Sequence, residues 1–136
     1  MNNLLTAITN KFSGSALSSD VSGRIFLDSA PDNTEFPYVV FFIVSGTPEK
    51  TFTEHYTNTL IQFSLFSALE GATEIMDMYT DLKALFDDCS LTITGSTLVW
   101  MREQNLTTMV EDITVADASQ KVKHWAADFS IMTSLN

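Results

Sequence analysis

The chain has 136 residues, 17 acidic against 7 basic, a net charge of −10, and 45% hydrophobic side chains. That size and apolar content predict one domain, residues 1–136, with a packed core. The acid excess argues against a nucleic-acid binder, which needs clustered Lys and Arg.

The densest apolar run, residues 38–44, is far short of the roughly 20 residues of a spanning helix, so no membrane segment is expected. The amino end lacks the basic start and long apolar stretch of a signal peptide. The single Cys89 cannot form an internal disulfide, which suits a reducing compartment.

Residues 2–12 read as a short helix, with Leu4, Leu5, Ile8 and Phe12 on one face and Asn3 as a cap. Residues 13–23, rich in Ser and Gly, read as a loop. Residues 24–28 are a short strand candidate and 30–36 turn material. Residues 37–46 form the strongest strand: Tyr38, Val40, Phe42 and Val44 occupy one face, and Val39, Phe41 and Ile43 the other. Both faces are apolar, so both should be covered. A domain this small covers one with its own helices, and the strand residues Tyr38, Val40, Phe42 and Val44 are candidates for an intersubunit or core contact.

Residues 47–53 read as a polar loop, and 54–67 as a strand turning Ile61, Phe63 and Leu65 one way and Asn58, Gln62 and Ser64 the other. The two strands form a hairpin with a long tip. Residues 70–89 are the clearest helix, with Ile75, Met78, Tyr79, Leu82, Leu85, Phe86 and Cys89 on one stripe. A short strand at 91–93 and a Gly95-Ser96 turn precede a strand at 97–110. A last strand at 120–133 alternates Trp125, Ala127, Phe129 and Ile131 inward. The order α-β-β-β-α-β-β is an α+β domain: a mainly antiparallel sheet of about four to five strands, with two helices on one face.

The 70–89 segment also concentrates charge. Glu70, Glu74, Asp77, Asp81, Asp87 and Asp88 stand against one base, Lys83. Glu70, Glu74, Asp77, Asp81 and Asp88 fall in one helical arc, an acidic surface that reads first as a solvated face. Carboxylates stacked along one helix do not enclose a cation. His55 and His124 lie far apart without ligand spacing. His55 sits at the hairpin tip, and His124 on the outward face of the last strand with Val122 and Asp128. Cys89 falls on the apolar stripe, where a buried thiol is expected. Trp100 and Trp125 read as core or interface anchors. Nucleophile motifs and phosphate loops are missing. No catalytic residue, metal or cofactor is therefore expected.

Read in order, the chain shows a short helix, Gly23-Arg24-Ile25-Phe26, a turn with Pro31, Phe36-Pro37-Tyr38-Val39-Val40, a polar hairpin tip, the 57–66 strand, an amphipathic helix, a Leu-rich strand entry and a closing strand. In that order and spacing it resembles the tail-completion or tail-terminator proteins of long-tailed bacteriophages and their prophages, over nearly its whole length. The resemblance implies a structural virion protein, made in the host cytoplasm and located at the head–tail interface. It would cap the tail tube as a homo-oligomeric ring, commonly of six copies, stop tube polymerisation and form the head–tail joining surface. The implied partners are itself, the tail-tube protein and the head-closure or connector protein, with genomic DNA passing through without specific binding. The tip residues Glu49, Lys50, Phe52, Glu54 and His55 are then the suspected interface loop. Acids lining the channel would keep DNA from adhering. The helix stripe is one source of them and Glu54, Glu103, Glu111 and Asp112 another; helices packed outside the sheet would leave only the second. The alternatives are another neck or minor tail component of similar fold, or a small non-enzymatic ligand-binding or regulatory domain.

Overall fold

The computed structural model describes residues 2–50, 53–115 and 118–135. The elements run α1 (Asn2–Phe12), α2 (Ala16–Asp20), β1 (Ile25–Leu27), β2 (Tyr38–Lys50), β3 (His55–Ser67), α3 (Thr73–Phe86), β4 (Thr92–Ile93), β5 (Ser96–Val115) and β6 (Ala118–Leu135). Six strands form one sheet in the order β1-β2-β3-β6-β5-β4. Only the β1–β2 pairing is parallel.

The α+β class and the helix-backed sheet agree with the sequence reading, but the inventory changes. A third helix, α2, stands in the segment read as a loop. Its Ser15 hydroxyl accepts the Ser18 N–H at 3.1 Å, an N-cap. Leu17 and Val21, one turn apart, are fully buried. Serine-rich composition masked that i,i+4 apolar pair. Asn3 lies inside α1, and its side chain instead donates to the Thr94 carbonyl at 2.9 Å, tying the first turn of α1 to the β4–β5 turn.

The hydrophobic alternation of β3 and β6 holds in the structure: Ile61, Phe63, Leu65, Ala127, Phe129 and Ile131 are fully buried. They meet Leu4, Ile8 and Phe12 of α1 and Ile75, Met78, Leu82 and Phe86 of α3 on one face of the sheet. At the centre Phe63 contacts four other phenylalanines. Ring centroids lie 6.0 Å from Phe12, 5.9 Å from Phe41, 4.9 Å from Phe86 and 5.4 Å from Phe129. Phe12, one turn past Ile8, closes the group against Phe86 at 5.1 Å. Aromatic pairs at these separations add to simple area burial.

Both hairpins are longer than the sequence predicts. β2 continues to Lys50, which pairs directly with His55, so paired strand takes up part of the polar tip read from the sequence. β5 and β6 stay paired from Ser96↔Leu135 to Val115↔Ala118, whereas β3 leaves β6 at Lys123. Beyond that point β5 and β6 project as a two-stranded arm. Val122 is buried at its base, and the charged residues Glu111, Asp112 and Lys121 interrupt the apolar alternation that marks a strand in sequence. Opposite charges such as Asp112 and Lys121 stand directly across from each other there.

Candidate joining surface

The side of the sheet away from the helices is a second, differently built face. Tyr38, Phe66 and His124 are direct cross-strand partners on β2, β3 and β6. Their rings stack at 4.8 and 4.3 Å, and Phe36 extends the column against Tyr38 at 5.2 Å. His124 Nδ1 lies 3.1 Å from Glu111 Oε1, which continues the row onto β5. Polar bridges follow on β3 and β6 toward the β2–β3 tip: Gln62 Nε2 donates to Asp128 at 2.8 Å and the Ser130 hydroxyl to Asn58 at 2.9 Å. Burial, with the Glu111 charge second, raises the Tyr38 phenol.

The outward position of His124 was read correctly, but the face is not simply solvent. Val122 is fully buried, and the imidazole is stacked and bridged. The 28–36 segment borders an open cavity of about 760 Å³ above Val40, Phe42, Gln62, Ser64 and Phe66. The suspected contact strand is therefore graded. Val40 is 8% exposed, Tyr38 and Phe42 are half-buried, and Val44, past the cavity, is 49% exposed.

The tip residues Glu49, Lys50, Glu54 and His55 are all exposed at one end of the sheet. Phe52 lies outside the described residues. The arm occupies the opposite end.

The acidic arc does not survive as one stripe. α3 spans only Thr73–Phe86, which leaves Glu70 before it and Asp87 and Asp88 after it. The other members are partly engaged. Glu74 accepts the Ser67 hydroxyl at 2.6 Å, and Asp88 stands 3.7 Å from Arg102. Asp87 accepts the Glu103 N–H at 3.1 Å. Asp81 shares a hydrogen bond with Asp20 of α2. Asp20 is raised to about 7, first by burial, then by that hydrogen bond and by the charges of Asp81 and Asp77. Asp77 and Glu70 are exposed. Glu103, a channel candidate from the sequence, turns to the helix side instead. It accepts the Tyr79 hydroxyl at 2.7 Å and lies 3.6 Å from Lys83. Burial and Glu103 together push Tyr79 up to about 12.

Cys89 sits half-buried against Met101, S to S 3.7 Å, and burial raises its thiol. Trp125 packs on the core beside Tyr79 at 5.9 Å, while Arg102 covers the Trp100 ring at 5.0 Å. Among the described residues no group of three or more His, Cys, Asp or Glu could hold a metal, and no helix is long and apolar enough to cross a membrane.

The most consequential feature for joining is at the margins of the sheet. β1 covers only Val39–Phe41 of β2, leaving the rest of that strand without an outer neighbour among the described residues. β4 covers only Ser96 and Thr97 of β5, so the remaining length of β5 is likewise open. Unpaired strand edges present rows of free N–H and C=O groups that another strand can complete. Such edges leave no mark in the sequence, because an edge depends on which strands become neighbours.

A helix-backed antiparallel-rich sheet, open along both margins and fitted with a projecting arm, defines a small α+β domain with exposed strand-joining surfaces. The chain matches the family "Tail completion protein gp17" over residues 4–134 and belongs to that family, which makes it a structural component of the virion tail. A solved chain from the "Virion of native gene transfer agent (GTA) particle" shares the fold. Its TM-score is 0.73 at 13% identity, covering 95% of this chain and 92% of that one. A second solved chain aligns at TM-score 0.56 and 12% identity over 96% of this chain and 94% of its own length. No curated protein matches.

Proposed function

We propose that the protein is a tail terminator: a non-enzymatic subunit that assembles into a closed ring, six copies by family expectation, caps the tail tube and offers the surface to which the head connector joins. The observation that supports the ring is the pair of open edges. Adjacent strands in the run β2-β3-β6-β5 are antiparallel, so β2 and β5 run in opposite directions. The β5 edge of one copy laid against the β2 edge of the next continues an antiparallel ladder. Such a contact uses two different surfaces, and head-to-tail contacts close into rings when the rotation permits. The helices back one face, so a ring with the sheet inward turns the α3 carboxylates away from the channel. Asp128 and Glu111, on the opposite face, then line it and discourage DNA adhesion.

The test is assembly. Without the protein, tail tubes should be irregular in length and fail to join heads, and the purified protein should add ring density to one end of isolated tubes under negative stain. Tubes of normal length with heads attached would end the terminator reading. Headless tails of normal length would favour another neck component.

A further inference from the structure

At the end of the sheet opposite the arm lies a cavity of about 520 Å³ that neither the fold nor the ring explains. The first turn of α1 forms one wall, the β2–β3 tip another and the β4–β5 turn a third. Three features give it one electrostatic sense. The leading N–H groups of α1 lack helical acceptors and carry the positive end of the helix dipole, with no acidic residue in the first turn. Lys50 and His55 stand in the lining, and among the described residues the lining includes no carboxylate. In a chain of net charge −10, that local exclusion of acids stands out.

The independent observation is Thr59. It lines the cavity, is 1% exposed, and its hydroxyl has no hydrogen-bond partner. A buried hydroxyl left unpaired costs free energy that a ligand oxygen would recover.

We propose that this cavity binds an acidic side chain of an adjoining protein. An anion at a helix N-terminus is a favourable arrangement. The space belongs to the roughly 300–1,000 Å³ range of organic-ligand sites, more than a bare oxyanion fills. Apolar walls from Leu4, Pro48, Ile93 and Leu135 suit the methylene stem of a Glu with its flanking residues. The identity of the adjoining protein as a neighbour along the tail axis rests on the proposed terminator role; the chemistry of the cavity does not.

The test is titration of the isotope-labelled protein with acetyl-Leu-Glu-Leu-amide, its Gln counterpart, and sodium phosphate. Resonances of Leu4, Thr59, Ile93 and Leu135 are followed through amides in the free protein and methyls in an assembled ring. The expected result is saturable shifts with the Glu peptide and binding at least tenfold weaker with the Gln peptide. Thr59→Val and Lys50→Gln should each weaken the Glu peptide about fivefold or more, with the remaining spectrum unchanged. Equal binding of both peptides overturns the proposal, as does silence with both. Phosphate reproducing the shifts at equal concentration also overturns it, in favour of a simple anion site. Absent rings with an intact peptide response sink the terminator reading alone. Normal rings without a peptide response sink this proposal alone.

Discussion

The two faces of one sheet are held by different physics. Toward the helices, Phe63 and its four phenylalanine neighbours are buried in a dry, close-packed knot. On the other side Phe66, three residues along the same strand, belongs to a half-buried column of rings, with Gln62–Asp128 and Asn58–Ser130 bridges further along the sheet. The first arrangement excludes water and specifies the fold. The second leaves aromatic surface and hydrogen-bonding capacity beside a cavity. A face that has not used up its contacts is one that can still join something.

The largest effect expected from this difference is at Phe63. Phe63→Ala should lower unfolding free energy by about 3–5 kcal/mol, the range for a buried phenylalanine whose cavity cannot collapse, read by urea denaturation. Phe66→Ala removes two stacked contacts from a partly exposed ring and should cost about 2 kcal/mol. Equal losses would show that the outer face is as tightly packed as the core and dissolve the contrast. A Phe66→Ala loss that grows once rings are assembled would sharpen it, by showing that another copy covers the column.

A smaller effect of opposite sign is expected at Thr59. Thr59→Val preserves shape and removes an unpaired buried hydroxyl, so stability should rise by up to about 1 kcal/mol. Stabilisation accompanied by lost peptide binding would mark the site as one where function is kept at the expense of stability. A destabilised variant would mean the hydroxyl is satisfied after all.

The smallest effect is pH-dependent. Asp20 titrates near 7 in the fold, above its ordinary 3.8, so the folded protein holds a proton that the unfolded chain has released. Stability from this group is therefore fully present below about pH 4 and is lost as pH rises towards 7. Asp20→Asn should match the parent's melting temperature near pH 4 and exceed it by a small margin at pH 8. A constant difference across that range would remove the Asp20–Asp81 contact from the account.

Much of the fold was legible because burial leaves a period in the chain. The 3.6-residue spacing of Ile75, Met78, Leu82 and Phe86 and the alternation of Ile61, Phe63 and Leu65 placed α3 and β3 on the right faces, and all seven are fully buried. Where burial is slight or local, the signal fails. α2 commits only Leu17 to the core, with Val21 just past its end, and was hidden among serines. In the arm, Val122 alone is buried among the residues whose side chains are described, too little to leave a period. The acidic arc was drawn on an ideal helix longer than the real one, and it could not reveal that Glu74, Asp81 and Asp88 each meet a residue of another element.

The sequence by itself determined the class of domain, the apolar faces of its main elements, its excess of acid and its likeness to tail-completion proteins. Tertiary structure alone decided the features that bear on joining. Periodicity reports whether a residue is buried, but not which strand lies beside which. Only the sheet order leaves β2 and β5 with open margins. Only the packing of α1 against the β4–β5 turn brings its first turn, Lys50 and the unpaired hydroxyl of Thr59 around one cavity. These residues are far apart in the chain, and the chemistry they share arises from their meeting.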